Sequence, residues 1–407
     1  MQETPKIRVL VVDDSSVMRR IIATALTKNP ALEVVGYAAN GLQAIDRVRE
    51  LQPDVVTLDI EMPELDGLSA LREIRKHNQS VAIIMFSTLT HRGAQATVMA
   101  LTAGATDYVC KPSAALGSTG QAFQVLESEL IPKIIGLAQR AMRRKTPRDV
   151  PTAPKAAPAV SLPLPTAALA AERTAGWRPS QLPAASTALP ASDRTAGWRP
   201  SQLLASATAP VAAVVIGVST GGPMALKQLF AALNAPLPVP VFIVQHMPAT
   251  FTTLLAARLT AVGVVTVKEP IDGELPQVGV AYMAPGGQHL VLSGNAARVS
   301  MGLTADAPRN SCRPSVDVLF ESAAQVYGEA VLALVLTGMG SDGLRGCQQI
   351  KARRGQVIVQ DEESSVVWGM PGAVAQNGLA DRVLPLDKIA EELSYRTRRR
   401  TSLPSLP

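Results

Sequence analysis

The sequence predicts an α/β protein in two parts. An N-terminal doubly wound parallel sheet is followed by a disordered linker and then by a second α/β domain with a mostly parallel sheet. Three observations carry this expectation. The chain has 407 residues, more than one typical core holds, so two domains of ordinary size are expected. Strand-length apolar runs alternate with helically spaced segments on both sides of an Ala/Pro-rich stretch. In the second part the runs are apolar on both faces, which suits strands covered by helices on both sides of a sheet.

In the first part, Ile7–Val12, Glu33–Tyr37, Asp54–Leu58, Val81–Phe86 and Thr106–Val109 read as strands. Val17–Lys28, Gly41–Leu51, Leu68–His77 and Gly93–Ala103 between them have helical spacing. The stretch 146–210 holds 17 Ala and 11 Pro in 65 residues. Proline removes donors and is excluded from helix interiors, so this segment is expected to form a linker and not a core. It contains RTAGWRPSQL twice, at Arg173–Leu182 and Arg194–Leu203. The repeat reads as a tandem duplication without function, or as a bivalent docking motif presenting Trp177 and Trp198. Beyond it, Val211–Gly217, Val239–Gln245 and Ala330–Gly338 read as buried strands. The expected domains are therefore 1–127, a helical tail and linker over 128–210, a second domain over 211–393 and a basic tail over 394–407.

Composition excludes several classes. Apolar residues make up 47% and aromatics only 3%, which argues against an aromatic platform for nucleic acid or sugar. The net charge is +6, but residues 1–127 carry 12 basic and 14 acidic side chains, and 211–393 together with the tail carry 16 and 15. The excess sits in 128–210, with 11 basic and 4 acidic, so neither folded part is basic and nucleic-acid binding is not expected. No uninterrupted run of 18 apolar residues occurs, so membrane insertion is not expected, and the N-terminus lacks a secretory pattern. Cys110, Cys312 and Cys347 make neither a disulfide framework nor a C-x-x-C site, which fits a reducing, cytoplasmic setting.

Functional groups of a parallel sheet gather at the carboxyl ends of its strands. Asp13 and Asp14 follow the first strand, Asp59 the third, Thr88 the fourth, and Lys111, beside Pro112, the fifth. Carboxylates converging there repel unless a cation joins them, and a hard divalent ion such as Mg²⁺ suits oxygen ligands. The plainer alternative is that Asp13 and Asp14 cap the first helix.

These residues stand in V-D-D-S (Val12–Ser15), L-D-I-E-M-P-E-L-D-G (Leu58–Gly67), S-T (Ser87, Thr88) and K-P (Lys111, Pro112). Over roughly 6–127 the chain resembles the receiver domains of response regulators, with their flavodoxin-like fold. The resemblance implies that Asp59 accepts a phosphoryl group from a histidine kinase. It implies Mg²⁺ on Asp13, Asp14, Asp59 and the Glu61 backbone carbonyl. Thr88 and Tyr108 then occupy the switch positions, with Lys111 beside the phosphate.

In the second part, Ser219 lies in G-V-S-T-G-G-P (Gly217–Pro223), between a strand and a helical stretch. Gly217 and Gly221 flank it as in a G-x-S-x-G turn. Such a turn can present a nucleophile, cradle a phosphate or simply turn. His246 follows the next strand and Asp342 a later one, so all three fall at one sheet edge. A serine needs an imidazole to take its proton, and the imidazole needs a carboxylate to fix its tautomer. His289, after a glycine turn, is the rival base.

The segments G-V-S-T-G-G-P, V-Q-H-M-P, A-P-G-G-Q-H, R-P-S-V-D-V-L-F, L-T-G-M-G-S-D-G and S-S-V-V-W-G-M-P-G-A carry a second resemblance. Residues 211–393 are similar to the catalytic domain of the chemotaxis protein-glutamate methylesterase family, whose architecture is receiver, linker and esterase. The resemblance implies Ser219 as nucleophile, His246 as general base, Asp342 as its orienter, Thr220 beside them and the Met339 N–H at the oxyanion. It implies methyl-accepting chemoreceptors as substrate, glutamine deamidation as a further activity, and no cofactor in the esterase site. A monomer is expected. Two other classes stay open: a response regulator whose second domain only binds a partner, and a nucleotide-binding output domain using the Gly217–Gly222 turn.

Overall fold

The computed structural model describes residues 6–88, 90–111, 123–124, 126–296 apart from the stretch 146–208, and 298–398. Pro112 and both copies of the decapeptide repeat lie outside the described residues.

The first sheet contains β1 (Ile7–Val12), β2 (Leu32–Ala38), β3 (Val55–Asp59), β4 (Ala82–Ser87) and β5 (Asp107–Cys110), in the order β2-β1-β3-β4-β5. Every pairing is parallel. Each expected strand is present within a residue of its expected limits. The helices start where side chains can cap them. Ser15, Asn40, Asp66 and Thr90 each accept a bond from a first-turn amide of the helices Ser16–Thr27, Gly41–Leu51, Gly67–His77 and His91–Ala103. Ser15 is thus the cap of the first helix, which leaves Asp13 and Asp14 free of that role. A π-helical turn, Leu126–Leu130, leads into the helix Ile131–Lys145, whose buried Ile134 and Leu137 pack on this domain.

The second sheet has seven parallel strands in the order β14-β13-β12-β6-β7-β9-β8. They are β6 (Ala213–Val218), β7 (Val241–Gln245), β8 (Thr266–Lys268), β9 (Val280–Met283), β12 (Val331–Val335), β13 (Gln356–Gln360) and β14 (Arg382–Leu384). The strand expected from Val239 starts two residues later, because Pro240 has no N–H for the ladder. The strand expected to reach Gly338 stops at Val335. Past it, the Thr337 N–H goes to the Gln360 side chain (2.8 Å), so a side chain replaces the ladder partner.

An antiparallel hairpin, β10 (His289–Asn295) with β11 (Arg298–Thr304), stands apart from this sheet. It was not anticipated, although Leu290, Leu292, Val299 and Met301 alternate inward along it. The closing helix Leu386–Thr397 takes in the first residues of the stretch read as a basic tail. There Arg396 Nε pairs with Glu392 at 2.7 Å, both side chains largely buried.

The described residues on either side of the linker form one compact unit. One apolar cluster runs from Leu10 and Tyr108 of the first sheet to Phe251 and Leu255 of the second domain. Ring stacking of Tyr108 on Phe251, with centroids 4.9 Å apart, is part of that junction.

Close backbone approach makes one glycine obligatory. A Cβ on Gly286 would lie 2.2 Å from Ala249 N and Pro248 C, which are backbone and cannot give way. Gly286→Ala should destabilise the second domain by about 1–3 kcal/mol. Urea unfolding followed by circular dichroism reads this as a lower midpoint; an unchanged midpoint would show that the approach is not needed.

Candidate functional site

Two sites lie at the carboxyl ends of the two sheets. In the first, Asp13 and Asp59 are buried at the ends of β1 and β3, while Asp14 is exposed beside them. Arg19 Nη1 donates to the carbonyls of Asp13 (2.6 Å) and Asp14 (3.0 Å), which fixes the acidic turn. Lys111 is held next to β4 by its N–H, which donates to Ser87 O (2.7 Å). Its ammonium reaches Asp13 Oδ2 at 3.0 Å and Asp59 Oδ2 at 2.6 Å. Asp59 Oδ1 accepts from the Ile60 amide at 2.7 Å. Burial pushes the Asp59 carboxyl up to about 6, against the pull of Lys111. Burial would lower the Lys111 ammonium, but the two carboxylates outweigh it and hold it above its ordinary value.

The donor set fits a hard cation. Asp13, Asp14 and Asp59 offer oxygen atoms within 4.8 Å of one another. Apart from the Lys111 ion pair, Asp13 Oδ2 and Asp59 Oδ2 accept no hydrogen bond. Glu61 and Thr88 line the same cavity of about 280 Å³. Thr88 Oγ1 faces Thr90 Oγ1 at 3.0 Å. Tyr108 is turned inward against Phe251.

The second site is assembled from neighbouring strands. Val218 of β6 pairs with Gln245 of β7, so Ser219 and His246 are the next residues of adjacent strands, about 4.8 Å apart in such a ladder. The His246 N–H donates to Val218 O (3.3 Å) and the Ser219 N–H to Thr337 O (3.0 Å), which ties both residues to the sheet edge. Gly221 has φ +77°, and this left-handed turn lets the helix Gly222–Ala232 start at once.

Asp342 comes from the loop after β12 and is buried. Five donors converge on its carboxylate. Oδ1 accepts from Asn310 Nδ2 (2.7 Å), Ser315 Oγ (2.9 Å) and the Asp317 amide (3.1 Å). Oδ2 accepts from the Val316 amide (2.7 Å) and pairs with His246 Nε2 (2.9 Å). Val316 and Asp317 open the helix Val316–Tyr327, so Asp342 is the anion at that helix's N-terminus. Burial would raise the Asp342 carboxyl, but His246 and these donors outweigh it and hold it down at about 2. Burial likewise would lower the imidazole; Asp342 and the Cys312 thiol outweigh it and hold His246 up at about 9. The two shifts describe one ion pair.

The imidazole's other nitrogen, Nδ1, stands 3.6 Å from Cys312 Sγ. Among the described residues no hydrogen bond joins Ser219 Oγ to the imidazole, so the serine is a neighbour of His246 that is not yet engaged with it. His289 is not a free base. Its Nδ1 accepts from the buried Ser315 amide (3.1 Å), and its Nε2 pairs with Ala307 O (3.3 Å). Thr220 is buried, and its hydroxyl donates to Asp107 Oδ2 of the first domain at 2.8 Å. Lys133 completes that carboxylate at 3.1 Å. The Met339 side chain packs toward the helix Ile131–Lys145, where a Cβ on Gly136 would lie 2.8 Å from its methyl.

Sequence reasoning missed Asn310, Ser315, Cys312, Thr337 and Asp107. Thr337 Oγ1 donates to Thr220 O (2.9 Å) and so fixes the turn beside Ser219. A polar side chain in R-P-S-V-D is unremarkable on its own; only the fold brings Ser315 to Asp342.

Two sheets of these kinds in one chain define a class: a response regulator with an enzymatic output domain. The family model described as CheB methylesterase matches residues 214–393, and the one described as response regulator receiver domain matches residues 9–116. The chain is 43% identical to the protein-glutamate methylesterase/protein-glutamine glutaminase of Trichodesmium erythraeum, over 96% of this chain and 99% of that one. It is 46% identical to the protein of that name from a Nocardioides species, over 98% of each. A crystal structure of the Thermotoga maritima CheB methylesterase catalytic domain is 43% identical, with a TM-score of 0.45, covering 46% of this chain and 99% of that one. The chain belongs to the protein-glutamate methylesterase/protein-glutamine glutaminase family of enzymes. Among the described residues no helix is long and apolar enough to cross a membrane.

The ion pair has a defined pH window. His246 rises from its ordinary 6.5 to about 9, so its contribution to stability is full below pH 6.5 and is lost as pH climbs through 9. Asp342 falls from 3.8 to about 2, so its contribution is present above 3.8 and is lost as pH falls through 2. An NMR titration of the imidazole protons should place the His246 midpoint well above 6.5. A midpoint at or below 6.5 would mean that Asp342 does not hold it.

Proposed function

We propose that the chain hydrolyses γ-methyl esters of glutamate residues on chemoreceptors, deamidates receptor glutamines by the same chemistry, and so serves adaptation in chemotaxis. The observation that carries this reading is the His246–Asp342 pair at 2.9 Å, set on the strand next to Ser219. Ser219 Oγ attacks the ester carbonyl while the neutral form of His246, whose share grows as pH rises toward 9, takes its proton through Nδ1, the nitrogen that Asp342 leaves free. Asp342 fixes Nε2 and stabilises the imidazolium as it forms. The Met339 N–H donates to the developing oxyanion. His246 returns the proton to the departing methanol. Water, deprotonated by the same base, then releases the glutamate. With glutamine the leaving group is ammonia and the steps are otherwise alike.

A phosphate-cradling role for the Gly217–Gly222 turn has less support, since the Gly222 N–H already donates to Ser219 O (2.8 Å). A partner-binding role alone would leave the imidazole–carboxylate pair without a purpose.

Asp59 is the phosphoacceptor in this reading, with a histidine kinase as donor. Asp13, Asp14, Asp59 and the Glu61 carbonyl would hold Mg²⁺, which when bound neutralises charge on the transferring phosphoryl group. Lys111 pairs with the phosphate oxygens, and Thr88 leaves Thr90 to hydrogen-bond them. Regulation rests on the domain junction. Asp107 takes the hydroxyl of Thr220, the residue after the nucleophile, and Tyr108 stacks on Phe251, which follows His246 by five residues. The docked receiver restricts access to Ser219, and phosphorylation shifts the population toward an open form.

Ser219→Ala should abolish methanol release from methylated receptor, leaving at most a trace over the uncatalysed reaction; full activity would overturn the nucleophile. Asp107→Ala removes a buried charged acceptor worth roughly 1.5–3 kcal/mol, so basal methanol release without phosphodonor should rise by about tenfold or more. A fall in basal release would contradict inhibition through this contact.

A further inference from the structure

The geometry points to a metal site that shares the imidazole of the esterase: His246 Nδ1 and Cys312 Sγ form a two-ligand seat for a borderline-soft divalent cation of the zinc class. The distance fits. Zn–N bonds of about 2.0–2.1 Å and Zn–S bonds of about 2.3 Å at a tetrahedral angle put the two donor atoms about 3.5 Å apart. Nδ1 and Sγ are 3.6 Å apart.

The surroundings are those of a ligating histidine. A metal-bound imidazole ordinarily gives its other N–H to a carboxylate, which fixes the ring and raises its basicity. Asp342 Oδ2 receives Nε2 at 2.9 Å. Asp342 lies within 4.8 Å of the other two donors, but its oxygens are saturated by five donors, so it orients the ring and does not ligate. The thiol is also held in place. Arg309 and Cys312 exchange both backbone hydrogen bonds, at 3.0 and 2.9 Å. Between them Asn310 (φ +52°) and Ser311 (φ +61°) both sit in the left-handed region, a costly pair for non-glycine residues. Asn310 is tied down by Asp342 and Asp317. A strained turn that the rest of the site over-determines thus aims Cys312 at the ring.

Binding needs no change of oxidation state. Cys312 gives up its thiol proton to solvent, along with any proton on Nδ1, and the metal takes one sulfur and one nitrogen donor. Water fills the remaining positions. Two protein ligands give a reversible site. The bound metal occupies the lone pair that Ser219 needs, so zinc inhibits the esterase. That consequence rests on His246 being the general base; the binding itself does not.

Full-length reduced protein is stripped of metal with a chelator and titrated with Co²⁺ in excess Mg²⁺, which occupies the oxygen site of the receiver. Thiolate-to-cobalt charge-transfer absorption should grow to one equivalent and disappear on adding Zn²⁺. It should be lost in Cys312→Ser and His246→Ala and kept in Cys110→Ser and Cys347→Ser, each checked for native circular dichroism. Methanol release is followed in parallel, each variant against its own metal-free rate. The half-inhibitory Zn²⁺ concentration of Cys312→Ser should rise by at least the roughly tenfold that losing even an outer-shell partner costs. No charge-transfer band, or an undiminished band in Cys312→Ser, overturns the site. A band that depends on both residues, with no inhibition by zinc, upholds the site and instead overturns His246 as the base.

Discussion

The buried carboxylate of Asp342 is the interaction on which the proposed chemistry of the second domain depends. It does two jobs at once. It is the anion at the N-terminus of the helix Val316–Tyr327, where two free amides and the Ser315 hydroxyl meet it. It also holds one nitrogen of His246. Helix N-termini favour a negative charge, so the fold itself keeps Asp342 ionised. An ionised carboxylate is what an imidazole needs in order to accept a proton from serine. Folding and chemistry therefore lean on the same oxygen atoms, and Asn310 joins them as the fifth donor.

The same region explains how a receiver can govern an esterase without touching the reacting atoms. Asp107 and Tyr108 belong to β5, the strand directly followed by Lys111 in the acidic pocket. Thr220 and Phe251 lie one residue and five residues beyond Ser219 and His246. One short strand thus has the acidic pocket at its end and the Ser219 turn against its side. A change at Asp59 that moves Lys111 or Thr88 has a short path to the junction.

Much of the fold was legible in the sequence because the strands are short apolar runs and the segments between them have helical spacing. Pro240 and Thr337 shifted strand limits through local chemistry that apolar periodicity does not report. The hairpin of His289–Thr304 escaped notice because its alternation is interrupted by Gly294, Gly302 and polar residues. Ser219, His246, Asp342 and the receiver carboxylates could be picked out because each follows a strand. Asn310, Cys312, Ser315 and Asp107 could not, since their partners are tens of residues away and only the folded sheet edges bring them together. The resemblance to the methylesterase family places Thr220 beside the reacting groups, and nothing in the sequence indicates that its hydroxyl is committed to the receiver.

The dependence of the serine on Asp342 can be measured with a fluorophosphonate that traps an activated hydroxyl, the labelled peptide being identified by mass spectrometry. Ser219 should carry the label, and Asp342→Asn, in folded protein, should slow labelling by about 10⁴-fold, the scale on which losing the orienting carboxylate disables an imidazole base. Labelling of another residue, or an equal rate in the variant, would contradict the dependence.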